Sequence, residues 1–558
     1  MTFEKQNLVK IILMAGLCIY ILFCTKEIGN FYQTGHAGFV NAELGLSHMN
    51  TINNGFIKTK FGSTNHKFID DRSPETEEFY VRYPHLHNFL MAVFWKITGV
   101  SEISARLFAI LLAFGSILVT YFTARELGFS PLRSALVFFA LCNFPIFFHY
   151  AGLSSTEIFA LFPLALSYFF YLKFLKQQKI RFLLFFLIAI SFTCQLFWYG
   201  YLAAFIIFLD GLIAYFRRKE KVFIKVCLML VLAVIINAAF FIVHTIWMVG
   251  SIDKVVDAYL WRSSFKIPET QQFTWFQFFF KNLLRGWLFN PAVILLALIN
   301  ISLIFIKKKL AILDSIKHRF YLILLVTPIL FFLILRHLVH YHDFLVIYLA
   351  SFLALVGIDL FMQITEKFAS ARKTNVFVFF LLGFMVVWAG IGLFIQPEEK
   401  MIDRDMDNYE LYYVSKAVHN VSTPGDKILL ILSRIQEPQV VFYIRRETHF
   451  NKVMEWVKDY VDSGEYAFCL VENIIQKRPL LKYLLDRYKC YKYYRYFLFD
   501  LRKPGKGLRI FKRQVEDTGL WFKYFVSPYH KPGKYKEIKD KRTIQNVLKQ
   551  FESVQNFK

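Results

Sequence analysis

About eleven runs of roughly twenty apolar residues recur along this chain, and they constrain its fold more than any other feature. They start near Leu8, Ile103, Ser134, Thr156, Phe182, Gly200, Val222, Asn290, Phe320, His342 and Asn375. Backbone groups in lipid must bond within their own segment, so a run of this length crosses a bilayer as a helix. Buried helices of a large soluble protein would be the other reading. The hydrophobic content of 56% and aromatic content of 19% decide against it, because soluble domains hold only about 45–50% apolar residues. The first run lacks a small-residue cleavage site and opens a series of further runs, so it reads as a retained span, not a signal peptide. The fold class expected is mainly α, a polytopic membrane protein of about eleven transmembrane helices.

Charge placement orients these spans. With the N-terminus (Lys5, Lys10) inside, the connections at 173–181, 217–225, 307–319 and 367–373 are rich in Lys and Arg. The opposite connections at 150–155 and 197–200 carry neither. This is the positive-inside pattern. It predicts a cytoplasmic N-terminus, a long first outer loop over about 26–102, and an outer location for the residues after the last span. Hydrophobicity falls after Ile395, so the chain divides into a transmembrane domain, 1–395, and an outer domain, 396–558. In the second, a helical pattern at 410–420, a Pro424-Gly425-Asp426 turn and apolar runs at 428–432 and 440–443 precede an amphipathic segment at 452–461. Strand-like runs at 468–471 and 496–501 complete a small α/β domain, followed by a basic tail over 531–558.

Five cysteines (Cys18, Cys24, Cys142, Cys194, Cys227) lie in predicted spans and read as packing residues. Cys469 and Cys490 lie in the outer domain, where an oxidising compartment permits a disulfide or two free thiols. The net charge of +25 belongs largely to inner connections and the tail. It suits membrane lipids, anionic headgroups or a phosphorylated glycan. Nucleic acid is excluded as a partner for an outward-facing polytopic chain. The absence of a Walker-type phosphate loop removes ATP-driven transport.

Motifs then narrow the reading. Tyr83-Pro84-His85-Leu86-His87-Asn88-Phe89-Leu90 is followed by Phe94-Trp95-Lys96-Ile97-Thr98-Gly99-Val100-Ser101-Glu102 and Ala105-Arg106-Leu107. This order resembles the membrane glycosyltransferases of the GT-C architecture. Those include glycosyltransferase family 39, the protein O-mannosyltransferases, the lipid A aminoarabinose transferase and RgtA/B/C/D-like relatives. Asn41-Ala42-Glu43-Leu44 resembles the family's Tyr-Ala-Glu-Ile stretch. Residues 152–160 resemble its second outer loop, and Val339-His340-Tyr341-His342-Asp343-Phe344-Leu345 resembles the start of a late helix. The resemblance covers roughly the first 360 residues. The chain departs where the family's first-loop acidic pair stands: Ala37 and Gly38 occupy those positions, with His36 just before them.

The resemblance implies transfer of a sugar from a polyprenyl-phosphate donor to an envelope glycan, lipid or protein acceptor at the outer face of a cell inner membrane. Such a reaction needs a carboxylate or His base for the acceptor hydroxyl. It also needs cations, His or a metal beside the departing lipid phosphate. Glu157 sits where the family keeps its second-loop acid; its other reading is a helix-capping acid in Ser154-Ser155-Thr156-Glu157. Glu43 and His36 are the further catalytic candidates, against an orienting acid and a solvated histidine. Arg82, Tyr83, His85, His87, Arg262, Arg336 and His340 are the substrate-binding candidates. Against them stand packed histidines and arginines that extend to the interface. No metal site is assigned and no cofactor is required, although His340 and His342 with an acid leave a divalent metal open. Asp70 and Asp71 read as solvated, and Trp261, Trp275 and Trp287 as an interfacial belt. Two other functions fit the same chain: a transporter or flippase of lipid-linked glycan, and a catalytically silent scaffold of the same fold.

Overall fold

The computed structural model describes residues 3–538 apart from 27, 30–31, 33–35, 65–73, 265–271, 309–314, 369–370, 396–406, 433–436, 451–453, 473–477, 494–495, 506 and 512–534. Asp70, Asp71, the linker after Ile395 and the residues from 539 on lie outside the described residues.

Two compact units emerge. The first comprises Met1–Ile28, Gly55–Ser63 and Glu75–Met401; the second comprises Gly29–Asn54, Thr64–Pro74 and Ile402–Lys558. The division is not a single cut near residue 395, because a stretch of the first loop belongs with the C-terminal residues.

In the first unit, eight helices among the described residues are long and apolar enough to cross a membrane: Gln6–Cys24, Glu102–Glu126, Thr156–Gln177, Tyr199–Arg217, Lys221–Val249, Ile316–Ile334, Asp343–Lys367 and Thr374–Phe394. A ninth candidate is broken, its arms Trp275–Leu288 and Pro291–Ile306 meeting at 120°. The remaining two expected runs form shorter apolar helices, Pro131–Cys142 and Ile180–Leu196. Each apolar run is therefore helical, two of them shorter than the rest. The break has a local cause: Pro291 starts the second arm, and Asn290 caps it by accepting from the Ala292 and Val293 N–H groups at 3.1 and 3.3 Å.

Ion pairs with buried carboxylates tie the helices together. Arg319 donates to both carboxylate oxygens of Asp210 at 2.7 and 2.5 Å, and Tyr171 Oη donates to the same carboxylate at 2.6 Å. Asp359 accepts from Lys317 at 2.6 Å, Tyr321 at 3.0 Å, Gln363 at 3.0 Å and Arg133 at 3.3 Å. Isolated charges at these depths are costly, and pairing is what makes them tolerable.

The second unit is a seven-stranded sheet of order β2-β1-β3-β5-β4-β6-β7. Its strands are β1 (Ile428–Ile431), β2 (Thr448–Phe450), β3 (Phe468–Glu472), β4 (Tyr488–Tyr493), β5 (Tyr496–Pro504), β6 (Gly507–Phe511) and β7 (Tyr535–Ile538). β1 runs parallel to both β2 and β3, whereas β5 is antiparallel to β3 and β4. Alternation along the strands feeds two cores. Leu430, Leu470 and Leu498 pack with Val414, Val418, Val440 and Ile444, and Ile431, Val471 and Phe497 pack with Val457, Val461 and Leu484. The expected helix at 410–420 is Asp407–Val421, and the apolar run at 440–443 lies in the helix Glu437–Ile444. The first-loop helix His36–Asn54 belongs to this unit, and the preceding Tyr32 N–H donates to Tyr443 Oη at 2.6 Å.

The sheet register settles the cysteines. Cys469 and Cys490 both stand opposite Phe499 of β5, one on each side of it. Two strand spacings place them about 9–10 Å apart, beyond the reach of a disulfide. Both are buried free thiols. Among the span cysteines, Cys18 is exposed instead of packed.

Candidate active site

Glu157 lies in the first turn of the helix Thr156–Gln177 and is only 5% exposed. The capping account of this acid lacks its contact: Ser155 is the N-cap residue, yet its side chain makes no capping hydrogen bond. The Ser155 and Thr156 hydroxyls are buried without a hydrogen-bond partner among the described residues. Buried polar groups are normally paired, so unpaired hydroxyls beside a buried acid mark a place suited to an oxygen-rich ligand.

Side chains from four separate segments converge on Glu157. Tyr83, from the first loop, is near enough to feel the carboxylate's charge, and Tyr348 Oη donates to the Glu157 backbone carbonyl at 2.9 Å. Tyr348 is held by a stack on Tyr199 with ring centroids 4.0 Å apart. Arg262 closes the helix Asp253–Arg262, lays its guanidinium 4.2 Å from the Tyr83 ring centre, and donates to the Arg82 carbonyl at 3.2 Å. His342 completes the group from the junction before the span Asp343–Lys367.

Electrostatics fix the protonation of this cluster. Burial raises Tyr83 well above its ordinary range and the Glu157 charge raises it further, against the opposing effect of Arg262, so its phenol remains a donor. Burial acts against charge on Arg262, but Tyr83, Tyr80 and Glu157 outweigh it, and the guanidinium stays charged. Burial lowers His342 to about 4 despite Glu157, with Arg262 and Arg285 acting in the same direction as burial. At neutral pH the site therefore holds a neutral imidazole, a phenol donor and a cation around one acid.

The other expected residues lie elsewhere. His85 and His87 anchor the first loop: Ser63 N–H donates to His85 Nδ1 at 3.2 Å, and His87 Nδ1 donates to the Pro84 carbonyl at 3.2 Å. Ser63 Oγ lies 3.4 Å from His87 Nε2. Burial pushes His85 well below its usual range and His87 down to about 4. The Arg82 side chain is exposed and rests on Tyr80 at 5.4 Å; only its carbonyl serves the site. Arg336 and His340 join an aromatic cluster, Arg336 at 4.7 Å from the Trp275 ring and His340 stacked 3.9 Å from Phe273. Trp261 and Trp275 are 39% and 49% exposed, and Trp287 is half-buried. Glu43 is half-buried on the helix His36–Asn54, and His36 opens the same helix; both belong to the second unit. Among the described residues no group of three or more His, Cys, Asp or Glu side chains could hold a metal ion.

Sequence reasoning did not single out Tyr348 or the pair Arg285–Asp343, buried and joined at 2.5 Å. The available signal was an acid at the head of an apolar run, where only a partnered carboxylate is tolerated.

A small cavity opens beside the site, lined by Leu161, Leu164, Tyr168, Tyr199, Leu324 and Tyr348. Its volume of about 30 Å³ has room for a water or two, not for an isoprenoid chain.

Comparison with known proteins agrees with this architecture. Residues 72–251 match the family model described as dolichyl-phosphate-mannose-protein mannosyltransferase. The structure of ArnT from Cupriavidus metallidurans bound to undecaprenyl phosphate superposes with a TM-score of 0.61 at 11% identity, covering 89% of this chain and 98% of that one. The chain has the GT-C fold of the membrane glycosyltransferases. The oligosaccharyltransferase of Archaeoglobus fulgidus in its apo form shares this fold, with a TM-score of 0.58 and 11% identity over 85% of this chain and 70% of that one. Apo ArnT aligns at 0.54, with 11% identity over 89% and 98% of the two chains. No curated protein matches the chain by sequence. Across this GT-C fold, the matched family segment includes Tyr83, Glu157 and the loop histidines but ends before Arg262 and His342.

Proposed function

We propose that this GT-C protein transfers a sugar from a polyprenyl-phosphate donor to a hydroxyl of an envelope glycan, lipid or protein. The reaction is assigned to the side that the charge pattern gives as outer. The observation that carries the reading is the convergence of Glu157, Tyr83, Arg262 and His342 at one end of the helix bundle. In this reading Glu157 takes the proton of the acceptor hydroxyl as it attacks the anomeric carbon. His342, neutral with a pKa near 4, serves in this reading as a polar partner beside the acid. Arg262 faces the lipid phosphate as it leaves, because its planar fork matches phosphate oxygens. Tyr83 supports the guanidinium, with its ring centre 4.2 Å from it. No divalent metal is needed for these steps.

Glu43 and His36 are proposed as contributions from the first loop, in place of the acidic pair that Ala37 and Gly38 replace. That replacement also favours a second reading, a silent scaffold of the same fold. Reconstituted protein given labelled polyprenyl-phosphate sugars and envelope extract separates the two. Transfer by the parent protein but not by Glu157→Gln supports the enzyme with Glu157 as base, and a lowered rate in His36→Ala supports the first-loop contribution. Donor binding without transfer by the parent protein supports the scaffold. The proposed placement, in a cell inner membrane with the N-terminus cytoplasmic and the second unit outside, is tested by labelling single cysteines at positions 179 and 419 with a membrane-impermeant maleimide. Reaction at 419 alone in intact cells supports it.

A further inference from the structure

The break between the helix Arg336–Tyr341 and the span that follows it carries an unusual winding. His342 is extended, with φ −116° and ψ 103°, and the next seven residues, Asp343–Leu349, form a 3₁₀ helix. Runs of that kind longer than three or four residues are uncommon, because their hydrogen bonds are poorer. Something must hold this one.

Arg285 stands at the break. It is 4% exposed, and its guanidinium donates to Asn282 Oδ1 at 3.0 Å, to the Val339 carbonyl, to the His340 carbonyl at 2.8 Å and to Asp343 at 2.5 Å. In an uninterrupted α-helix the Val339 and His340 carbonyls would accept from the N–H groups of residues 343 and 344. Arg285 takes both carbonyls and anchors the carboxylate of Asp343 beside them. The α-helix ends there, and the tighter winding begins at residue 343.

The winding decides where Tyr348 points. It lies five steps after Asp343. A 3₁₀ helix turns about 120° per residue and rises about 2.0 Å, against about 100° and 1.5 Å in an α-helix. Over five steps the difference is about 100° of rotation and about 2.5 Å of advance. In the observed winding Tyr348 Oη reaches the Glu157 carbonyl at 2.9 Å. Rewound as α, the same side chain would face away from it.

We propose that Arg285 and Asp343 are positioning residues: together they block helix continuation, impose the 3₁₀ winding and so aim Tyr348 and His342 at Glu157. The inference rests on the reading of Glu157 as the transfer site, which it deepens. An interaction of this kind acts on the placement of the acid in the reacting state, so its loss falls on kcat more than on KM.

The test uses full-length protein in lipid nanodiscs. The double substitution Arg285→Gln with Asp343→Asn leaves no unpaired buried charge, so it is the variant expected to fold. Arg285→Lys is its conservative companion, keeping the charge but not the fork. The double variant is expected to lower kcat at least tenfold while the KM for donor changes less than threefold, with Arg285→Lys intermediate. Adding Tyr348→Phe should then cost much less than it does in the parent protein. A ¹⁹F resonance from 3-fluorotyrosine at position 348 should move in both variants. An unmoved resonance, an unchanged kcat, or a full additional loss from Tyr348→Phe overturns the proposal. Failure of the underlying reading is distinct. If Glu157→Gln keeps full transfer while the resonance still moves, the clamp stands and the assignment of Glu157 falls.

Discussion

Arg262→Lys separates a guanidinium that recognises phosphate from one that merely fills space. The substitution retains a positive charge near Glu157 but removes the planar fork, which in this structure lies 4.2 Å from the Tyr83 ring centre and donates to the Arg82 carbonyl at 3.2 Å. Lysine has the charge to satisfy Glu157 at its other end, so the buried acid is not left alone and the fold should survive. The lost backbone hydrogen bond costs about 1 kcal/mol and is read as a small fall in melting temperature. The effect on a phosphate ligand is larger. One charge-assisted hydrogen bond contributes about 1.5–3 kcal/mol, which is roughly 10- to 150-fold in affinity at about 1.4 kcal/mol per decade. Titration of polyprenyl phosphate into the protein in nanodiscs should therefore show weakening within that range, and Arg262→Gln should weaken binding further. Donor affinity within twofold of the parent, in a variant that melts normally, would refute the assignment of Arg262 to the lipid phosphate.

Two further predictions concern the scaffold. Asp210→Asn leaves the Arg319 guanidinium buried without its carboxylate, and breaking such a pair costs about 3–5 kcal/mol; thermal unfolding in detergent should fall by several degrees, whereas an unchanged midpoint would show that the pair carries no stability. His87 is fully buried and lowered to about 4, so below about pH 6.5 the unfolded chain takes up a proton that the folded chain refuses. Its contribution is therefore complete above pH 6.5 and is lost as pH falls toward 4, by about 3 kcal/mol; His87→Gln should flatten the melting profile across that window, and an identical profile would contradict it.

The sequence reveals most of the helical frame because burial in lipid leaves little choice. Each apolar run becomes a helix, and the GT-C resemblance follows the order of motifs. Three features escaped it for physical reasons. The first-loop helix His36–Asn54 carries no mark in its own residues that it belongs with the unit formed near residue 440. Thr448–Phe450 and Tyr488–Tyr493 are strands whose short or tyrosine-rich segments lack a clear alternation, so only pairing in the sheet defines them. His85 and His87 look alike as ligands in the sequence, yet the structure separates them. His87 bonds the Pro84 carbonyl and lies 3.4 Å from Ser63 Oγ. His85 engages Ser63 through Nδ1 and keeps Nε2 without a partner among the described residues. Glu157 was legible from its position on the loop, and His342 only as a possible metal ligand; Tyr348 was not legible, because the winding after His342 decides where it points.

Transfer by Glu157→Gln tests the central claim most directly. Parent protein and variant, reconstituted together with labelled polyprenyl-phosphate sugar and envelope acceptor, would be compared for label released from the lipid and for donor bound. The account predicts at least a hundredfold loss of transfer with donor binding retained. Transfer at the parent rate by Glu157→Gln would contradict it.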